Sequence, residues 1–160
     1  ISPDGRMLFV ADHDNGTDNI DPDAKVPPTP GPMKIYGWWL KKNGQVENER
    51  FTIVDFTHYK MKGCDGMTVD ENGYLYLTVR EAARPGVMVV DPFKGVNVGY
   101  ISTGPIGQDQ ADAVGLPSNV EFGIGKDRNL LYITVDKSLY RIRLKTRGWH
   151  VQYQGRKKKL

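Results

Sequence analysis

Three segments of the chain repeat one cassette, a tight turn followed by an alternating or apolar strand. That recurrence constrains the fold more than any other feature. The segments are Pro3-Asp4-Gly5-Arg6-Met7 through Asp12, Asp70-Glu71-Asn72-Gly73 through Val79, and Gly125-Lys126-Asp127 through Val135. Asp4-Gly5 and Asn72-Gly73 supply the positive-φ residue of a tight hairpin, and Asp127-Arg128-Asn129 plays the part less cleanly. The flanks repeat as well. Asp65-Gly66-Met67-Thr68-Val69 precedes the second turn and Ser118-Asn119-Val120-Glu121-Phe122 the third. Downstream strands are expected at 34–40, 86–90 and 138–144, each followed by another at 51–56, 97–101 and 149–153. No long apolar period of 3.6 residues runs through the chain, so helices should be scarce.

Four short strands per repeating unit is the arrangement of a β-propeller blade. A β-sandwich would need as many strands but would not repeat a four-strand cassette. The aligned Leu8, Leu75 and Leu131 lie 67 and 56 residues apart, with the loops 12–32 and 104–117 taking up the excess. The expected organisation is an all-β partial propeller over 1–154. Its blades lie at about 1–56, 66–103 and 119–153, the first lacks its innermost strand, and a basic tail covers 155–160. Closed rings use about four to eight blades, so the chain reads as the C-terminal half of a six-bladed ring. Its opening, Ile1-Ser2-Pro3-Asp4-Gly5 without an initiator Met, fits a fragment or processed product and leaves the compartment unread. A half ring made alone exposes two blade faces and is expected to aggregate or dimerise.

Composition narrows the function classes. The 160 residues are 39% hydrophobic and 26% charged, as in an ordinary globular chain. One cysteine, Cys64, rules out an internal disulfide, and no apolar run approaches the roughly 20 residues of a membrane helix. Lys+Arg number 22 against 19 Asp+Glu, a net charge of +3. Arg156, Lys157, Lys158 and Lys159 of the tail account for four positive charges, so the remainder is close to neutral. Neither nucleic acid nor a membrane is an expected partner.

In a propeller the residues opening the innermost strands crowd one mouth of the central channel, which directs attention to Asp65-Gly66 and Ser118-Asn119. Asp65 can coordinate a hard cation such as Ca²⁺, with Gly66 allowing close backbone approach; Asp-Gly is also plain turn chemistry. Ser118 and Asn119 can offer a hydroxyl or an amide carbonyl to a ligand, or simply form a turn. Arg80 and Arg84, in a loop overhanging the mouth, can grip a carboxylate or polyhydroxylated substrate or stand solvated. The acidic 12–33 loop (Asp12, Asp14, Asp18, Asp21, Asp23, with Gly16) suggests a calcium loop but lacks the later bidentate Glu of an EF-hand. Cys64 has no evident partner His. Of His13, His58 and His150, only His58 lies on a stretch leading to the mouth. No nucleophile elbow, Cys-x-x-Cys, His-Glu-x-x-His or phosphate loop is present.

At these residues the sequence resembles the family of senescence marker protein (regucalcin), gluconolactonase and luciferin-regenerating enzyme. The matching stretches are Ser2-Pro3-Asp4-Gly5-Arg6 to Asp12, Gly44 to Arg50, Asp65-Gly66-Met67-Thr68-Val69-Asp70 to Leu77, Pro117 to Gly123, and Leu131 to Thr134 continuing to Leu139-Tyr140-Arg141-Ile142. The resemblance implies a six-bladed propeller with one divalent cation, Ca²⁺ or Zn²⁺, in its channel, hydrolysing sugar lactones. Of the family's cation ligands only the Asp of its Asp-Gly-Met motif maps here, onto Asp65; the remaining ones are expected upstream of Ile1. The usual Gly-Gly after the Phe is here Gly123-Ile124-Gly125. The implied chemistry is metal-assisted ester hydrolysis, with Asp65 as metal ligand and catalytic carboxylate, and Ser118, Asn119, Arg80 and Arg84 as substrate contacts by position. Two alternatives stand beside the lactonase: a non-enzymatic propeller acting as binding module or scaffold, and organophosphate hydrolysis at the same site.

Overall fold

A computed structural model describes residues 1–13, 23 and 31–153. Among them ten strands form three antiparallel sheets. The first holds β1 (Met7–Asp12), β2 (Lys34–Leu40) and β3 (Val46–Asp55), in the order β1-β2-β3. The second holds β4 (Met67–Val69), β5 (Leu75–Val79), β6 (Gly86–Asp91) and β7 (Val96–Ser102), in sequence order. The third holds β8 (Pro117–Phe122), β9 (Leu130–Val135) and β10 (Ser138–Arg143). The chain is all-β, with helix limited to short 3-10 turns. Gly5 and Gly73 take φ of 72° and 91°, the left-handed conformation that the two tight turns require.

Alternation along the strands stacks the sheets. On β5, Leu75, Leu77 and Val79 join Met7, Phe9, Ile35 and Ile53 of the first sheet in one core. Tyr76, on the opposite face of β5, joins Val87, Val120, Phe122, Leu131, Ile133 and Val135 in a second core against the third sheet. Every residue of β5 is therefore buried, as a strand packed on both faces must be. Tyr76 meets Phe122 edge-on, ring centroids 5.0 Å apart, a favourable aromatic geometry.

The third unit departs from the expected four strands. Residues 149–153, read as a strand, instead follow an isolated bridge between Gly148 and Asp70 and end in a 3-10 turn, Val151–Tyr153. The backbone groups a fourth strand would use are engaged elsewhere. Trp149 N–H donates to the Val69 carbonyl, Gly148 N–H to the Arg128 carbonyl, and the Arg147 carbonyl accepts from Glu71 N–H. Gly148 passes so close to Phe122 that a Cβ there would overlap the ring. The chain thus crosses to the second sheet and leaves β10 an open edge, exposed along its whole length.

Candidate functional site

Strand direction gathers the loops into two rims. The starts of β2, β4, β6, β8 and β10 and the ends of their partners share one rim. Asp65-Gly66 and Ser118-Asn119 both lie on it, and the sheets bring them together. A Cβ on Gly66 would lie 2.5 Å from Asn119 Oδ1 and 2.6 Å from Asn119 Cα, so only glycine permits this approach.

Each opening is clamped by a threonine from the neighbouring strand. Thr78, fully buried, accepts from Gly66 N–H at 2.9 Å and returns its hydroxyl to the Gly66 carbonyl at 3.3 Å. Thr134 accepts from Asn119 N–H at 2.9 Å and faces the Asn119 carbonyl at 3.4 Å. These threonines lie three residues after Leu75 and Leu131, a fixed offset that was legible as a signal in the repeat.

Asp65 is partly open, its side chain 41% exposed, and its Oδ1 lies 3.2 Å from His13 Nε2. His13, at the end of β1, is the imidazole at this carboxylate. His58 instead lies on the Phe56–Tyr59 turn, in a surface cleft with Lys34, Asp55 and Tyr59. Sequence reasoning missed His13 because it precedes a long insertion and shares no motif with Asp65. Its Nδ1 is buried without a hydrogen-bond partner among the described residues. Cys64 is buried, its S–H directed at the Gly66 carbonyl at 3.4 Å. Burial, and then the charge of Asp65, pushes its thiol up to about 12. A thiol that stays protonated at neutral pH is no nucleophile.

The other expected residues divide. Ser118 and Asn119 are exposed on the rim; Ser118 Oγ pairs with Thr134 Oγ1 at 2.9 Å and Asn119 Oδ1 accepts from Val120 N–H. Among the described residues the amide NH₂ of Asn119 makes no hydrogen bond. Arg80 reaches the Leu116 carbonyl at 3.5 Å, between the second and third sheets. Arg84 turns outward: its guanidinium lies 4.2 Å over the Tyr100 ring, whose hydroxyl donates to the Arg84 carbonyl. The loops around them are tied down, Gly107 N–H to the Ala83 carbonyl and Thr103 N–H to the Pro85 carbonyl. Asp14, Asp18 and Asp21 of the suggested calcium loop lie outside the described residues, as does the basic tail.

Among the described residues no three His, Cys, Asp or Glu side chains cluster to hold a cation. Asp65 and His13 offer one carboxylate and one imidazole, whereas Ca²⁺ takes about six to eight oxygens and Zn²⁺ about four donors. These residues alone do not complete a coordination shell.

Three stacked antiparallel sheets with strand openings gathered on one rim define an all-β chain. No protein-family model and no curated protein matches the chain. Among solved structures it is similar to a provisionally assigned gluconolactonase, at 24% identity and a TM-score of 0.55, over 74% of this chain and 34% of that one. It is also similar to luciferin-regenerating enzyme, at 18% identity and a TM-score of 0.57, over 74% of this chain and 41% of that one. Both neighbours carry the names of the family that the sequence resembles. At these identities the likeness shows the fold, and the chain spans less than half the length of either neighbour.

Proposed function

We propose that the chain is part of a six-bladed propeller that hydrolyses sugar lactones with the help of a divalent cation. The observation that carries this reading is the convergence of Asp65-Gly66 with Ser118-Asn119 on one rim, in a fold shared with a provisionally assigned gluconolactonase. Asp65 is one cation ligand, and the rest of the shell comes from blades beyond the described residues. The apolar face of the first sheet supports such further blades. Leu75 and Leu77 cover the first sheet and Leu131 and Ile133 the second, yet among the described residues the equivalent Leu8 and Val10 have no sheet against them.

A divalent cation, when bound, supplies Lewis acidity toward the lactone carbonyl. The protein's own part is positional. Thr78 fixes the peptide that carries Asp65, and His13 holds one carboxylate oxygen, leaving the other to ligate the cation. Asn119 NH₂ and the Arg80 guanidinium donate to substrate hydroxyls. Arg84, engaged with Tyr100, ranks last among the substrate contacts.

The test is calorimetric titration of Ca²⁺ and Zn²⁺ into the full-length protein beside Asp65→Asn, with glucono-1,5-lactone hydrolysis assayed on the same samples. Saturable cation uptake and turnover that both fall at least about a hundredfold in the variant are expected. No uptake and no turnover in the parent protein would overturn the proposal and leave a propeller used as a binding surface.

A further inference from the structure

The near-neutral sum of charges over the body conceals a polar distribution. Without the tail, residues 123–154 hold 7 of the remaining 18 Lys+Arg and only 2 of the 19 Asp+Glu. One of those two acids, Asp136, is occupied on the rim that carries Asp65, accepting from Gly115 and Leu116 N–H at 2.6 and 3.2 Å. At the opposite rim of the third sheet, Lys126, Arg128, Arg143 and Arg147 line a cleft of about 330 Å³ with Gly125 and Asn129. No carboxylate lines it, and none of the ion pairs among the described residues includes these four cations.

Two of the guanidinium groups are held in place before any ligand arrives. Arg128 donates twice to the Gly148 carbonyl, at 3.2 and 2.8 Å, and stacks 4.1 Å over the Tyr153 ring. Arg143 donates to Asn129 Oδ1 at 2.8 Å. Gathering four like charges around one concavity is unfavourable unless an anion offsets them. A solvated basic face would spread them over a convex surface. Arginine forks match the oxygens of a phosphate group, which carries close to two negative charges at neutral pH.

We propose that this cleft binds a phosphate group, separately from the rim that carries Asp65. Arg143 and Arg147 are the principal ligands, Lys126 adds charge, and Arg128 orders the wall. The phosphate is that of a free phosphate compound or of a lipid headgroup, and the experiment distinguishes the two.

Inorganic phosphate is titrated into the protein at constant ionic strength, and binding to phosphatidylcholine vesicles with and without phosphatidylinositol phosphate is measured in parallel. Arg143→Gln/Arg147→Gln is compared with Lys41→Gln/Lys42→Gln, which removes two exposed charges of the first sheet that do not line the cleft. Arg147→Gln alone keeps the test readable if the first pair unfolds, because that side chain has no hydrogen-bond partner among the described residues. Saturable phosphate binding weakened about tenfold or more by the arginine changes, and untouched by the lysine changes, is the expected result. Phosphate binding alone assigns a free compound; vesicle binding that phosphate competes away assigns a headgroup. Absence of both, or equal losses in the two double variants, overturns the proposal.

Discussion

Thr78 shows how one buried hydroxyl can set the geometry of a rim. It satisfies both the N–H and the carbonyl of Gly66, and Gly66 in turn lies against Asn119. Thr78→Val keeps the shape but strands the Gly66 N–H in a dry interior, while the Gly66 carbonyl keeps the Thr78 N–H at 3.0 Å; the loss should cost about 1–3 kcal/mol. Thr78→Ser keeps the hydroxyl and loses one buried methyl, about 1 kcal/mol or less. Urea midpoints of the two variants should fall in that order, and under the proposed lactonase reading only the Val variant should displace Asp65 enough to lower turnover of the complete protein. The opposite order would show that packing, not the hydroxyl, holds the opening. At this scale the sequence was partly legible. Repeat alignment put Asp65 level with Ser118, and the strands brought them together. His13 carried no comparable local signal, since its partner Asp65 lies 52 positions further along the chain and shares no motif with it.

At the scale of the element, alternation located strands well where one face is apolar. β2 runs over the expected 34–40, and its neighbour β3 ends near the expected place. β3 nevertheless starts at Val46 rather than Phe51, because Glu47, Asn48, Glu49 and Arg50 are polar on both faces and hydropathy cannot see an exposed strand end. The missing fourth strand of the third unit failed for a different reason: a crossing fixed by Gly148 and Phe122 overrode local pattern. The link after β3 supplies a test of local electrostatics. Asp55 caps the Phe56–Tyr59 turn, bonding Thr57 and pairing with Lys34 Nζ at 3.0 Å. The Thr57 hydroxyl first, then Lys34, lowers its carboxyl to about 2 from the ordinary 3.8. A depressed folded value means that the stabilisation is full above the unfolded value and is lost as pH falls through about 2. The stability gap between the parent and Asp55→Asn should therefore be constant from pH 7 to 5 and close progressively below pH 4. A gap that persists at pH 2 would place the effect in the cap geometry rather than in the charge.

For the whole molecule, the repeat foretold three sheets stacked in sequence, and two cores confirm that each contact is made by equivalent strand positions. Net charge was the poorest guide, because a sum near zero averages an acidic front portion with a basic third sheet. The first sheet offers the sharpest test of assembly. Its outer face presents Leu8 and Val10, with Tyr36 and Trp38 beside them on β2, the latter pair edge-on at 6.0 Å. Val10 is 39% exposed, although its counterparts Leu77 and Ile133 are buried against a neighbouring sheet. Left uncovered, such a patch drives association. The 160-residue chain should therefore show concentration-dependent mass in sedimentation, and Val10→Lys should shift it toward monomer with little change in melting temperature. In a protein supplied with a preceding blade the same lysine would be buried against it, costing about 1–3 kcal/mol. The substitution thus has opposite consequences in the two settings. If it leaves the longer protein as stable as its parent, Leu8 and Val10 face solvent there too, and the ring does not continue on that side.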